Sequence, residues 1–530
     1  MQSNLPKKIT SGLPRARYSS LTIIFLLSLF LGLYAWLRYR GNVGQGDTAV
    51  FTMAIRNMID GGTLIPSTAT YDNGYGYQSI VIFLHEFTGL SLYTLQVAGG
   101  TLLLAWVVVP AWLLYREFTQ SNRIALLAVL LLLVQPEFLF PLLRGTHEKF
   151  TRGMMFFIIY LLLRSLRSKN IAKLLNYIVI FYLSTYALIT LNNLMSSSFI
   201  FGIGLVVLIL WGVQKFFRNS VSVADHIIKR LGFITISSLI LAFIFTFYAY
   251  PPAQKQIFIL QSVSDQVASL LLNVEESAYN PYGVVMRGWV SMPVYYLVSL
   301  ANWVVLIGSF AIWLWQTWRW LIKKDRLSQP AIFLWAFYLA YGFQGGLSIL
   351  VDVSGAIAAN LQHRMFPSFI AFAVPVVAVW INQRIQSVAA HKRIWLTMGT
   401  GLVLGLFMLL AVVKATSDPL VSNQWFFYTP AEYQAVRWAE QSLDDDTFAI
   451  GFNDRVGSGY WVKENGLISP IDFEVYGSAK HVRNFMVSKV TQLQSERYFV
   501  PVPIEPYSSS IYHNGDAMIF RLRPKTPFQR

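Results

Sequence analysis

Apolar runs long enough to cross a bilayer recur along this chain, and they constrain its fold more than any motif does. A hydrocarbon core of roughly 30 Å takes about 20 helical residues, and a helix satisfies its own backbone hydrogen bonds there. The runs are Leu21 to Leu37, Thr94 to Leu114, Ile124 to Phe140, Phe150 to Leu163, Leu174 to Leu191, Leu194 to Val213 and Leu231 to Ala249. Met292 to Trp315, Ala331 to Val351, Met365 to Ile381 and Ile394 to Val413 follow, for about eleven spans in all. A content of 55% apolar and 13% charged residues excludes an ordinary soluble multidomain protein. Cysteine is absent, which excludes disulfides and thiolate metal sites.

A net charge of +16 on 530 residues suits a nucleic-acid binder only if the cations share one face. Here they fall mostly in short loops between apolar runs, as topology signals facing anionic lipid, and nucleic acid is not expected as a partner. Lys7, Lys8, Arg15 and Arg17 ahead of the first run place the N-terminus in the cytoplasm, and no cleavage site follows, so that run reads as an anchor. Tyr75 to Leu90 is apolar but short and carries His85 and Glu86. Taken as an interfacial helix on the outer face, it leaves Arg116 and Arg123, Arg164 to Lys173, Lys215 to Arg230, Arg319 to Arg326 and Arg384 to Arg393 all inside. The chain then divides into a plasma-membrane domain, residues 1–413, and a non-cytoplasmic domain, residues 414–530. In the latter, Thr429-Pro430-Ala431-Glu432 is a helix start running to about Ser442, and Thr447 to Phe452 and Met518 to Leu522 read as strands of a small α/β unit.

Polar chemistry collects in the outer loops. Asp47 precedes a pattern in which Val50, Phe51, Ala54, Ile55, Met58 and Ile59 share one face, ended by Gly61-Gly62, which predicts a surface helix with Asp47 as its N-cap. A carboxylate there can equally cap the helix or accept a proton from a hydroxyl. The second outer loop carries Glu137, then Arg144-Gly145-Thr146-His147-Glu148-Lys149, then Arg152. Cations on the outer side run against the positive-inside trend. Arg144, Lys149 and Arg152 suit a phosphate at the membrane surface, or structural ion pairs with Glu148. His147 and Glu148 have the chemistry of proton carriers or metal ligands, and no ligand set is assigned. Arg287 and Arg364 stand at outer helix ends, where an arginine either snorkels to headgroups or binds a lipid phosphate. No phosphate loop, dinucleotide fingerprint, zinc-protease motif or nucleophile elbow is present.

These patches together resemble the GT-C superfamily of polytopic membrane glycosyltransferases, in a layout similar to protein O-mannosyltransferases and aminoarabinose transferases. The resemblance rests on the basic N-terminus and single span, and on the acidic Asp47 ahead of a surface helix. It continues with Tyr71-Asp72-Asn73-Gly74-Tyr75-Gly76-Tyr77, the Pro136-Glu137 and His147-Glu148 loop, Arg364, and a C-terminal outer domain. It implies an all-α polytopic GT-C-like fold with outer juxtamembrane helices and the appended α/β domain. It also implies inverting transfer of a hexosyl or pentosyl group from a polyprenyl-phosphate sugar to a glycan, lipid or protein acceptor. Asp47 would be the general base and Glu148 the second-loop acid. Asp72, Arg144, His147, Lys149, Arg152, Arg287 and Arg364 would bind substrate, the cations stabilising the leaving phosphate. The second loop has His147-Glu148 where many relatives have Asp-x-Asp, so a divalent metal is not required, and the lack of Trp-Trp-Asp argues against an oligosaccharyltransferase catalytic subunit. A transporter or flippase of a lipid-linked glycan is the alternative. It would show broken helices or polar residues near the midplane, and related halves.

Overall fold

The computed structural model describes residues 13–39, 46–65, 73–92, 94–99, 103–216, 224–272, 289–323, 327–355, 361–422, 429–443, 448–450, 484–498 and 508–521. Among the described residues eight helices are long and apolar enough to cross a membrane, or nine if one bent pair is counted as a single span. Helix α1 (Leu13–Tyr39) holds the first span, and α2 (Gly46–Asp60) and α3 (Gly76–Thr88) follow it. With 13 residues α3 reaches only about 20 Å, too short for a crossing. Gly89 closes it in the left-handed conformation. Residue 47 is not ahead of the helix, as the expected cap would be. Helix α2 starts at Gly46, so residue 47 lies in its first turn.

Three of the expected spans are not single helices. Thr94 to Leu114 divides into a π-helical turn, Thr94–Gly99, and α4 (Leu104–Thr119). Ile124 to Phe140 divides into α5 (Asn122–Leu133) and α6 (Pro136–Leu143), bent by 74°. The cause is Pro136, which lacks an N–H and disfavours helical backbone before it; Gln135 is extended and α6 restarts with the proline at its first position. Met292 to Trp315 divides at Ser299 into the helices Met292–Val298 and Leu300–Lys323. Helix α7 (Glu148–Arg167) then enters the bundle, buried along most of its length, and its C-terminal end pairs Arg167 with Glu117 at 2.7 Å.

The bundle continues with α8 (Ile171–Leu191), α9 (Asn193–Phe216) and α10 (Asp225–Ile244), a π-helical turn (Phe245–Ala249) and α11 (Lys255–Leu271). Then come α12 (Met292–Val298), α13 (Leu300–Lys323), α14 (Gln329–Val353), α15 (Leu361–Ser387) and α16 (Ala390–Ala415). Helix α15 is the central column, with 72% of its apolar window buried, whereas only 11% of that of α16 is buried. Its lipid-facing side chains, such as Leu402 and Leu409, have no water to exclude in a bilayer.

Thr429 caps α17 (Pro430–Ser442) in a full capping box with Glu432, as its sequence predicts. The apolar face of α17, with Ala435, Val436 and Ala439, packs on a four-stranded sheet. Its strands are β1 (Phe448–Ile450), β2 (Asn484–Ser488), β3 (Ser509–His513) and β4 (Ala517–Arg521), in the order β1-β2-β4-β3, with α18 (Lys489–Tyr498) after β2. β1 and β2 are parallel; β4 is antiparallel to both β2 and β3. Past residue 413, Asp418 pairs with Arg38 of α1 at 3.4 Å, and Arg497 of α18 donates to the carbonyl of Ser422, in the segment after α16, at 3.0 Å.

Candidate active site

The second outer loop is built onto α2 through its glycine. The Gly145 N–H donates to Thr48 Oγ1 at 3.2 Å, and Tyr77 Oη donates to the Gly145 carbonyl at 2.8 Å. A Cβ on Gly145 would stand 2.7 Å from Thr48 Cγ2 and 3.0 Å from the Gln96 carbonyl oxygen, so this close approach requires glycine. Gln96 donates to Thr52 Oγ1 at 2.7 Å, which ties the π-helical turn to the same face of α2. Phe51 lies between His147 and Tyr77, with ring centroids 5.0 and 5.2 Å away. The backbone of α2 therefore carries residue 47 to the second loop. The side chain of Asp47, all of Asp72 and all of Arg287 lie outside the described residues.

His147, Lys149 and Arg152 are buried, at 6%, 1% and 2% exposure. Lys149 Nζ donates to the Arg144 carbonyl and closes the loop on itself. Arg152 forks, with one terminal nitrogen on Ser368 Oγ and the other on the Arg364 carbonyl at 2.8 Å. The Arg144 guanidinium lies 3.5 Å from the centre of the Phe140 ring, a cation–π contact. Glu148 opens α7, where a carboxylate complements the helix dipole. Arg364 presents its side chain to the exterior from the first turn of α15. The structure thus brings Arg144, His147, Glu148, Lys149, Arg152 and Arg364 to one end of the bundle.

Several participants carry weaker sequence signals. Asn192 and Asn193 interrupt an apolar stretch, the usual mark of a helix start. Asn192 Nδ2 meets His147 Nε2 at 2.6 Å, and its Oδ1 accepts the Met195 N–H at 2.9 Å. Asp352 accepts the Leu361 and Gln362 N–H groups at 3.0 and 2.8 Å, capping α15 just ahead of Arg364. Lys414, only 5% exposed, donates to Glu137 at 2.5 Å and to Ser299 Oγ at 2.6 Å beneath the rings of Trp289 and Tyr295. His363 Nδ1 is 3.9 Å from the other Glu137 oxygen.

That polar knot closes one end of a cavity of about 810 Å³ between α12, α13, α14 and α15. Glu137, Ser299 and His363 line this end, and Trp303, Phe310, Trp313 and Phe369 line the apolar remainder. Such a space fits an amphiphile, polar at the Glu137 end and apolar along the rest. Among the described residues no group of three or more His, Asp or Glu side chains could hold a metal ion. No metal-dependent step is assigned to these residues.

The fold is shared with solved structures of low sequence identity to this chain. The oligosaccharyltransferase of Archaeoglobus fulgidus, in complex with zinc and sulfate, shares it at 13% identity and a TM-score of 0.56, over 88% of this chain and 68% of that one. The same enzyme tethered to an acceptor peptide gives 10% and 0.55, over 90% and 69%. ArnT from Cupriavidus metallidurans bound to undecaprenyl phosphate matches at 11% and 0.49, over 97% and 98%. At these identities it is the fold that is shared. No protein-family model and no curated protein matches the sequence.

Proposed function

We propose that this protein is a plasma-membrane glycosyltransferase that moves a hexosyl or pentosyl group from a polyprenyl-phosphate donor to a glycan, lipid or protein acceptor on the outer face. One observation carries the reading. The first turn of α15 belongs to both the amphiphile cavity and the cationic cluster: His363 lines the cavity beside Glu137, while the next residue, Arg364, holds Arg152 by its carbonyl. A lipid tail in the cavity therefore brings its phosphate to the cations.

In this reaction Asp47 is the general base. It takes the proton from the acceptor hydroxyl as that oxygen attacks the anomeric carbon, with inversion. The bond from the anomeric carbon to the phosphate oxygen breaks, and its electron pair leaves with the polyprenyl phosphate. Arg364 and Arg144 face that developing charge, the buried Lys149 and Arg152 add to the positive field, and Glu148 is the second acid. Asp72 and Arg287 complete the substrate contacts. Residues 1–413 form the catalytic membrane domain, with the N-terminus inside and the α/β domain outside.

The test is transfer of labelled sugar from a panel of polyprenyl-phosphate donors to an envelope extract, comparing wild type with D47N at equal expression. Turnover lost in a folded D47N supports the base; equal turnover removes it. Absence of turnover with every donor favours a flippase for lipid-linked glycans.

A further inference from the structure

His147 and Asn192 define a protonation state as well as a contact. An amide side chain is ambiguous about which end donates, unless a neighbour of known polarity decides. Here one does. Asn192 is the N-cap residue ahead of α9, and its Oδ1 accepts the backbone N–H of Met195 at 2.9 Å, a group that can only donate. Its Nδ2 is therefore the end that faces His147 Nε2, 2.6 Å away, and Nδ2 can only donate. Nε2 must be the bare, accepting nitrogen. The proton of the ring then sits on Nδ1, and a second proton on Nε2 would set two donors face to face.

We propose that Asn192 is a positioning residue that locks His147 as a neutral, Nδ1-protonated hydrogen-bond donor. Its Nε2 is unavailable to take the acceptor proton or to bind a metal. The ring is pinned a second time by Phe51, 5.0 Å away on the helix that carries Asp47. Arg144, Glu148 and Lys149 flank it on its own segment, Tyr77 reaches the same loop from α3, and Asp47 comes from α2, its side chain outside the described residues. In a site this rich in cations a neutral imidazole adds no like charge. Its Nδ1–H serves an anionic oxygen, either that of the base or that of the donor phosphate, a role that rests on the glycosyltransferase reading above. The lock itself does not.

Solid-state NMR of 15N-histidine-labelled protein in bilayers, with H147Q to assign the signal, reads the tautomer directly. The lock predicts a protonated Nδ1 and a bare Nε2 from about pH 6 to about pH 8. In N192D the carboxylate still caps α9 but accepts where the amide donated, and the proton moves to Nε2; N192S keeps the cap and only removes the amide. Both variants should retain the wild-type unfolding midpoint closely while sugar transfer falls at least about tenfold, with an altered pH profile in N192D. A wild-type signal with Nε2 protonated overturns the lock, whatever the activity. Wild-type turnover and pH profile in an N192D protein that has switched tautomer overturns its functional role. If the wild type transfers no sugar, the glycosyltransferase reading fails, while the NMR result still decides the lock.

Discussion

Arg152, one turn into α7, donates to the carbonyl oxygen of Arg364 at the start of α15, 2.8 Å away and 212 residues along the chain, and its second terminal nitrogen holds Ser368. One guanidinium thus sets the distance between the second outer loop and the helix end that bears Arg364. A lysine keeps the charge but cannot span both acceptors. Hydrogen bonds from a charged group contribute about 1.5–3 kcal/mol each. R152K is expected to lose about that much stability in denaturant unfolding and to reduce sugar transfer at least about tenfold. Unchanged unfolding in R152K would show that the fork does not hold the two segments together.

The buried Lys414 pairs with the largely covered Glu137 at the polar end of the cavity. Removing one partner of such a pair strands the other charge, at a cost of about 3–5 kcal/mol, whereas removing both is nearly neutral. K414M and E137Q should each destabilise the detergent-solubilised protein strongly, and K414M/E137Q should recover most of the loss. Additive effects in this double-mutant cycle would mean that the two groups do not interact.

Gly145 packs tightly against Thr48 of α2. In G145A a methyl meets Thr48 Cγ2 and the Gln96 carbonyl, and either α2 or the loop must shift. A displacement of about 1 Å near reacting groups can cost about 100-fold in rate. Turnover of G145A is expected to fall on that order with membrane insertion intact. T48S removes the Cγ2 atom but keeps the hydroxyl that Gly145 uses, so G145A/T48S should regain part of the activity.

Burial raises the pKa of Glu432 in α17, with opposition from its hydrogen bonds to Ser488 and Thr429. The folded domain thus holds this proton more tightly than the unfolded chain does. Its contribution to stability is fully present below the ordinary carboxylate pKa and is lost as pH rises through the raised folded value. Hydrogen exchange in α17 should accelerate over that window in the wild type, and E432Q, which keeps the size and an amide oxygen, should flatten the dependence. A wild type whose exchange slowed as pH rose there, after correction for the intrinsic rate, would contradict the sign.

Much of this architecture is carried by local chemistry. The apolar runs define the long helices because a bilayer admits little else, and Thr429, Pro430 and Glu432 specify the start of α17 because capping is a contact within one turn. Asp47, His147, Glu148 and Arg364 stand out in the sequence because charged and titratable residues are few in so apolar a chain. Composition does not show that Pro136 turns the chain by 74°, nor that Ser299 interrupts a hydrophobic stretch to receive Lys414. Only the tertiary structure decides which cations are buried and what they hold. Arg152 and Ser368, Lys414 and Glu137, Gly145 and Thr48 are far apart in sequence, and their pairing depends on how the helices pack. The tautomer of His147 is likewise set by Asn192, whose own orientation is decided by the first turn of a different helix.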